Sequence, residues 1–410
     1  MKTLPNKIFN DPVHGFIEVP RGILLELIDS PEFQRLRRIR QLALTSLIYP
    51  GALHTRFHHA LGAMHLMKEA LMVLKGKGIE IQEDEFLGAQ IAILLHDIGH
   101  GPFSHALENV FLPGWSHEAM SIKLMHQLNR KYEGALSLGI EIFENRYSRP
   151  FFHQLVSGQL DMDRMDYLMR DSYFTGVAEG TVGADRIIKT LMVVNDQLVV
   201  EQKGIYSVEK FIIARRLMYW QVYLHKAVIA AEYMLINILV RAKELFQQER
   251  LNWCNEPLSY FFQPAEHLEN ADDKDTLTYF LQLDDEDILY AIKQWQKDSD
   301  PILSRLCKGL LNRQLLKVRL QNEPVLSAEI EKAKENIPTS DAHYLCFTGS
   351  VSNLAYLGDN KEPIGIMSKE GIIQNLAQAS DSYNIEVLSS SVKKFFFCGP
   401  DRFWWNKTNN

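Results

Sequence analysis

Apolar residues recur at helical spacing over most of the first 330 positions. Across 56–75 they are Phe57, Ala60, Leu61, Met64, Met67, Leu71 and Leu74, and Gly76 and Gly78 follow as stop signals. Residues 84–97 form an apolar segment that ends in Leu94, Leu95, His96 and Asp97, and residues 155–171 repeat a helical pattern through Leu160, Met165, Leu168 and Met169. From 207 to 250 there are 44 positions without Gly or Pro. An unbroken helix of that length would span ~66 Å at ~1.5 Å per residue, so a break is predicted. One β signal interrupts the helices: LMVV-ND-QLVVE at 191–201 reads as a hairpin with an Asn195-Asp196 turn. The polar stretch 255–275 reads as a linker, and two further helices are predicted within 284–320. The last 70 residues change character. Segments 343–351, 363–368 and 386–398 read as short strands, with 371–380 as a helix between them. The pattern predicts a mainly α chain with a small β-hairpin and a small C-terminal α+β lobe. Its expected divisions are a helical core at 1–250, a helical extension at 251–335 and the lobe at 336–410. There is no repeat and no low-complexity tract.

Composition changes this picture little. The 410 residues are 46% hydrophobic and 23% charged, ordinary for a folded globular chain. Cys254, Cys307, Cys346 and Cys398 are far apart and form no CxxC pair, which argues against a zinc ribbon or a disulfide framework. They read as reduced thiols. The first residues, MKTLPNKIFNDP, lack an apolar leader, and no run of about 18 apolar residues exists. A cytoplasmic chain without a membrane span is the expectation. The net charge of −7, from 44 basic and 51 acidic residues, argues against broad electrostatic binding of nucleic acid. It leaves room for a local basic pocket facing a phosphorylated small molecule.

The chemistry concentrates in one region. His58, His59, His96, His100, His105 and His117 fall within sixty residues, and HDIGHGPFSH packs three histidines and an aspartate around a Gly-Pro turn. Adjacent His96 and Asp97 differ by about 100° around a helix, yet both can reach a metal beside its end. Two neutral imidazoles and two carboxylates suit a divalent Zn, Fe or Mn ion. Such an ion lowers the pKa of water and polarises a phosphoryl oxygen. A further carboxylate comes from DMDRMDYLMRD, where Asp163, Tyr167 and Asp171 share one helix face at i, i+4 and i+8. Asp166 and Arg170 read there as a solvated charged face. Arg56, Arg164 and Arg215 are candidates for holding a polyphosphate by charge-assisted bonds, with Tyr223 eight residues past Arg215 on the same helix face.

The segments KIFNDPVHGFIEV, SPEFQRLRRIRQL, PGALHTRFHHALG, LLHDIGHGPFSH, WSHEAMS, DMDRMDYLMRD and RRLMYWQVYLHK, covering roughly 7–230 in order, resemble the deoxynucleoside triphosphate triphosphohydrolases of the HD superfamily. The nearest pattern is the catalytic core of the members that carry a sterile-alpha-motif domain. Beyond about residue 250 the resemblance is thin, apart from NRQLLK at 312–317. The resemblance implies an HD-domain helical core with His59, His96, Asp97 and Asp163 on the metal, choosing His59 over its rival His58. It implies that His100, His105, Glu108 and His117 form the acid–base and phosphate-contacting group. Family members usually have Asp where Glu108 stands, and the nearest has Lys where Arg164 stands. Gln41 and Asp171 would bond the 3′-hydroxyl, and Tyr167 would pack against C2′ and exclude a ribose hydroxyl. The implied reaction turns a dNTP into a deoxynucleoside and inorganic triphosphate, with Mg accompanying the substrate.

The resemblance also implies an activating guanine-nucleotide site (dGTP or GTP) in a homo-oligomer, a dimer or tetramer. Lys7, Asn10, Asp29, Gln34 and Arg37 match it, with Arg313 and Lys317 adding to it. A second adjoining site is only partly kept: Arg186 and Lys203 fit it, whereas Glu201 and Ser207 do not. Three alternatives compete: an HD-type nucleotidase or phosphodiesterase on another nucleotide, a non-catalytic nucleotide sensor, and a nucleic-acid binder or nuclease. The absence of a GYP motif disfavours cyclic dinucleotide cleavage. The retained His105, His117 and Arg56 argue against a mere sensor, and the acidic net charge argues against a nuclease.

Overall fold

The chain begins with a β-hairpin that its hydrophobic pattern does not show. In the computed structural model, β1 (Lys7–Asp11) pairs antiparallel with β2 (Gly15–Val19). Asp11 Oδ1 closes the turn by accepting the N–H groups of Val13 and His14, both at 2.9 Å. The structure describes residues 5–104, 110, 116–264, 268, 273–335, 337–338, 341–353, 363–381 and 391–400.

Two short helices follow, α1 (Ile23–Ile28) and α2 (Pro31–Gln34). The helix predicted at 56–75 is α3 (Arg56–Gly76), and its buried positions run around its whole circumference. It is enclosed because α4 (Glu83–Leu95) and α8 (Met162–Thr175) pack on opposite flanks. Gly62 makes the second contact possible. A Cβ there would stand 1.9 Å from Asp166 Oδ1 and 2.3 Å from Arg170 Nη2, so only glycine lets α8 approach this closely.

Between these elements lie α5 (His117–Lys131), α6 (Ser137–Phe143) and α7 (Pro150–Val156). The helix expected over 155–171 is therefore two helices. The chain breaks at Ser157–Asp161, where Asp161 caps α8 by accepting the Arg164 N–H at 2.7 Å. After α9 (Ala184–Thr190), the expected hairpin is present as β3 (Leu191–Val194) and β4 (Gln197–Glu201). Asn195 and Asp196 both take positive φ, 51° and 54°, as the tight turn requires. The break expected in the long apolar stretch falls at a π-helical turn, Tyr219–Tyr223, between α10 (Ile205–Met218) and α11 (Lys226–Gln247). The chain bends there by 56°. No single helix among the described residues is long and apolar enough to cross a membrane.

The later chain departs further from the reading of the sequence. Part of the expected linker is helix, α12 (Glu256–Phe261) and the start of α13 (Asp273–Gln282). The two helices predicted within 284–320 are α14 (Asp285–Trp295) and α15 (Pro301–Leu311), but Lys317–Gln321 is a strand, β5. Of the helix expected at 371–380, Ile373–Asn375 is strand and only Leu376–Ala379 is helical. The strands of the last segment join two different sheets. One has β6 (Phe347–Asn353) and β5 flanking β9 (Val392–Gly399), all antiparallel. In the other, β7 (Gly365–Met367) pairs parallel with β4, and β8 (Ile373–Asn375) lies at its edge. Pairing thus bridges the divisions expected near 250 and 335. The described residues are mainly helical, with small sheets, as the sequence pattern predicts.

Candidate metal centre and active site

Arg56 opens α3, and Thr55 and His58 form a reciprocal cap before it: the Thr55 N–H donates to His58 Nδ1 at 3.2 Å. This settles which histidine of the pair turns inward. His58 is occupied at the helix start, whereas His59, about 100° further round, is fully buried and faces α4 and α8. His96 is the C-cap of α4, Asp97 lies in the next turn, and Asp163 sits in the first turn of α8.

These side chains converge. His59 Nε2 lies 3.3 Å from His96 Nε2, and Asp163 Oδ1 lies 3.0 Å from the first and 3.5 Å from the second. Asp97 borders the cluster, its Oδ1 3.4 Å from His96 Nε2 and its Oδ2 3.7 Å from His59 Nε2. The outward nitrogens are already engaged: His59 Nδ1 meets Asp166 Oδ2 at 2.8 Å, and His96 Nδ1 meets the Ile93 carbonyl at 2.6 Å. Donating from Nδ1 leaves both Nε2 lone pairs pointing into one small space. That arrangement is repulsive unless a cation or a proton lies between them. Burial by itself lowers the His59 pKa, but hydrogen bonds to Asp163 and Asp166 outweigh it and push it up to about 10. A divalent ion would take the place of that proton. The donor set of two imidazoles and carboxylates, with committed outer nitrogens, fits a divalent transition metal.

Asp166 and Arg170 correct the sequence reading. Neither belongs to a solvated face; both side chains are fully buried. Asp166 accepts from Arg170 Nε and Nη2, each at 2.9 Å, and faces His14 Nε2 at 2.6 Å as well as His59. Arg170 Nη1 continues to Asp11 Oδ2 at 2.7 Å. Burial opposes the Asp166 charge, but Arg170 and the two histidines hold its carboxyl well below the usual range. Asp11 and His14 thus belong to the support of the metal cluster through the β1–β2 turn. The signal available in sequence was the spacing of Asp163, Asp166 and Arg170 at i, i+3 and i+7, which places all three on the side facing α3.

A cavity of about 740 Å³ opens from this cluster. Arg56, Asp97, His100, Ser104, His117 and Asp163 line one part of it, and Gln41, Tyr167, Asp171 and Tyr223 another. Arg56 bonds the Asp97 carboxylate and reaches Ser104 Oγ through Nε at 3.0 Å and Nη2 at 2.7 Å. The His100 and His117 rings stack with centroids 4.1 Å apart. Burial and the nearby Arg56 charge hold the His100 pKa well below its ordinary value, so its ring is neutral. His117 lines the cavity, and Ser116 caps its helix by accepting the Ala119 N–H at 3.2 Å. Asp171 receives His54 Nε2 and the Tyr223 hydroxyl, each at 2.7 Å. Gln41 Oε1 is buried with no hydrogen-bond partner among the described residues.

Two expected phosphate ligands are not among the residues that line the cavity. Arg164 bonds the Asp161 carboxylate and the Gly158 carbonyl. The Arg215 guanidinium lies 5.9 Å from the ring centroid of Tyr219, which does line the cavity. His105 and Glu108 lie outside the described residues. Among the residues matched to a regulatory nucleotide, Lys7 and Asn10 are exposed on β1 and Asp29 caps the end of α1. Arg37 bonds Gln34 Oε1 at 2.8 Å and covers the Phe57 ring. Arg313 donates to the Leu47 carbonyl, and Lys317 opens β5.

Comparison with known proteins gives the family. Residues 56–168 match the HD domain, and 182–253 match the HD-associated region. An uncharacterized Bacillus subtilis protein, YwfO, is 35% identical over 92% of this chain and 89% of its own length. A protein of Dictyostelium discoideum named as a homolog of the deoxynucleoside triphosphate triphosphohydrolase SAMHD1 is 34% identical over 59% of this chain, which spans 50% of that relative. The crystal structure of a phosphohydrolase from Bacteroides thetaiotaomicron superposes with a TM-score of 0.92 at 48% identity, covering 97% of this chain and all of that one. A buried His–Asp cluster at the ends of three HD-domain helices, in a chain that matches such relatives along nearly its whole length, makes this protein a member of the HD-domain phosphohydrolases that carry an HD-associated region.

Proposed function

We propose that the chain hydrolyses deoxynucleoside triphosphates to a deoxynucleoside and inorganic triphosphate. The observation that carries this reading is a single cavity with two differently equipped parts. One is lined by Arg56, Asp97 and Asp163, with His59 and His96 grouped against Asp163 behind the wall. The other offers the unpartnered Gln41 Oε1 beside Asp171, with Tyr167 and Tyr223 as walls. A phosphate ester suits the first part and a sugar hydroxyl suits the second. The relatives named as dNTP triphosphohydrolases support the choice of substrate, although the match covers half or less of their length.

His59, His96, Asp97 and Asp163 would hold a Zn, Fe or Mn ion, which supplies Lewis acidity toward a phosphoryl oxygen. Arg56, oriented by Ser104 and Asp97, places positive charge where it builds up on the phosphates. His117, stacked on the neutral His100, stands at the cavity wall as proton donor to the departing oxygen, aided by His105 and Glu108. Gln41 Oε1 accepts the 3′-hydroxyl proton, and Asp171, fixed by His54 and Tyr223, completes that contact. Tyr167 closes the space a 2′-hydroxyl would need. Arg164 reaches the phosphates only by leaving Asp161. In the same reading the exposed Lys7, Asn10, Asp29 and Arg37, with the half-buried Gln34, bind a guanine nucleotide in a homo-oligomer, joined by Arg313 and Lys317.

The test is to incubate the protein with each dNTP and with GTP, adding Mn or Mg, and to resolve the products by chromatography. Deoxynucleoside and triphosphate from dNTPs, none from GTP, and loss of both in Asp97→Ala are expected. Release of a nucleoside monophosphate instead would favour an HD-type nucleotidase. Inertness toward every dNTP, with and without added dGTP, would sink the reading.

A further inference from the structure

We infer that Asp285, beyond both family-matched regions, is a positioning residue that sets the Arg56 guanidinium by holding the turn at Phe103 and Ser104. Asp285 lies in the first turn of α14 and is fully buried. Its Oδ1 accepts the Phe103 N–H at 2.8 Å, and its Oδ2 accepts the Arg40 N–H at 2.9 Å. Neither bond belongs to its own helix. The α14 start is already capped by Asp284 and Asp287, which accept the N–H groups of Glu286 and Asp284, each at 3.0 Å. Both Asp285 oxygens are therefore free to serve distant segments.

The Phe103–Ser104 turn needs such support. Phe103 has φ 53° and Ser104 φ 55°, the left-handed region that side chains with a Cβ disfavour. Ser104 Oγ then bonds two nitrogens of Arg56, whose third meets Asp97. A relaxed turn would carry Ser104 off Arg56. The other oxygen fixes Arg40, the neighbour of Gln41, whose own N–H bonds the His54 carbonyl at 3.0 Å. Arg35 adds a second tie between the same segments, donating to the Leu283 carbonyl at 2.8 Å and the His100 carbonyl at 2.9 Å. The fold accepts a cost for this carboxyl: burial raises its pKa to about 6. Two opposed backbone N–H groups, one beside the phosphate part of the cavity and one beside the sugar part, are what that acceptor serves.

The turnover arm of the test rests on the dNTP reading above. Asp285→Asn keeps the size of the side chain but turns an amide N–H₂ toward one backbone donor. The full chain carrying it is expected to bind metal as before and to lose at least about tenfold in kcat, with KM changed much less. Ser104→Ala should lose activity too, and the double variant should be no worse than the weaker single one, because both act through Arg56. Unchanged kcat in a folded Asp285→Asn protein, or losses that multiply, would overturn the inference. Amide hydrogen exchange on the wild-type chain covers the case in which the variant fails to fold. The Phe103 and Arg40 amides are expected to be protected by at least about a hundredfold, and free exchange at either overturns the clasp. Exchange requires no turnover, so an inactive wild type would defeat the proposed reaction and still leave this inference tested.

Discussion

Asp166 shows how much a residue beyond the ligands can govern a metal centre. Its two oxygens serve His59, His14 and Arg170 at once, in a fully buried position. Asp166→Asn keeps the shape and removes the charge, so the His59 imidazole loses the partner that fixes its tautomer and raises its basicity. Metal affinity is expected to fall about 10–100-fold, read by titrating the apo-protein. An unchanged affinity would mean that Asp163 and Asp97 alone orient the site. His14 and Asp11 were not legible beforehand, because a His on an exposed-looking hairpin carries no periodic signal. Asp166 and Arg170 carried one, but charge on a helix reads as solvated until a neighbouring helix covers it. That His59, His96, Asp97 and Asp163 meet was expected through the resemblance, and the cap at His58 is the physical reason that His59 turns inward.

At the scale of elements, the contact between α3 and α8 is the one that assembles the site. It depends on Gly62, whose missing Cβ leaves room for the Asp166–Arg170 pair. Gly62→Ala would push α8 away or force those buried charges apart. A loss of about 3 kcal/mol in unfolding free energy is expected, with metal affinity falling alongside, measured by denaturant titration and metal binding on the same sample. Stability reduced with metal affinity intact would show that α8 tilts without moving Asp163. Long helices were legible because their period repeats over many residues, as in α3 and α11. Short strands were not. Among the described residues, β5 pairs with β9 alone, more than seventy residues later, and β8 with β7 alone. Nothing local marks such segments, since a strand's stability lies in its partner.

For the whole molecule, an ion held by this cluster would be linked to the stability of the fold. The cluster brings His59, His96, Asp97 and Asp163 together with Asp166 close behind, an arrangement the unfolded chain does not make. A ligand that binds only the folded state stabilises it by mass action, about 2.7 kcal/mol at a hundredfold excess over Kd. Chelation should therefore lower the melting temperature, and returning Mn or Zn should restore it. A melting temperature indifferent to chelator would show that protonated His59 holds the cluster as well as an ion does.

The helical class, the hairpin at 191–201, the break in the long apolar stretch and the group of residues around HDIGHGPFSH are legible in the chain before it folds. Each of these is written in local periodicity, turn chemistry or residue type. The burial of Asp166 and Arg170, the pairing of Arg164 with Asp161, the division of the last strands between two sheets and the reach of Asp285 to the loop beside the His–Asp cluster came from the assembled fold. Those outcomes depend on which distant segments meet. Burial and hydrogen-bond partnership belong to pairs of segments, and one segment's pattern does not contain its partner.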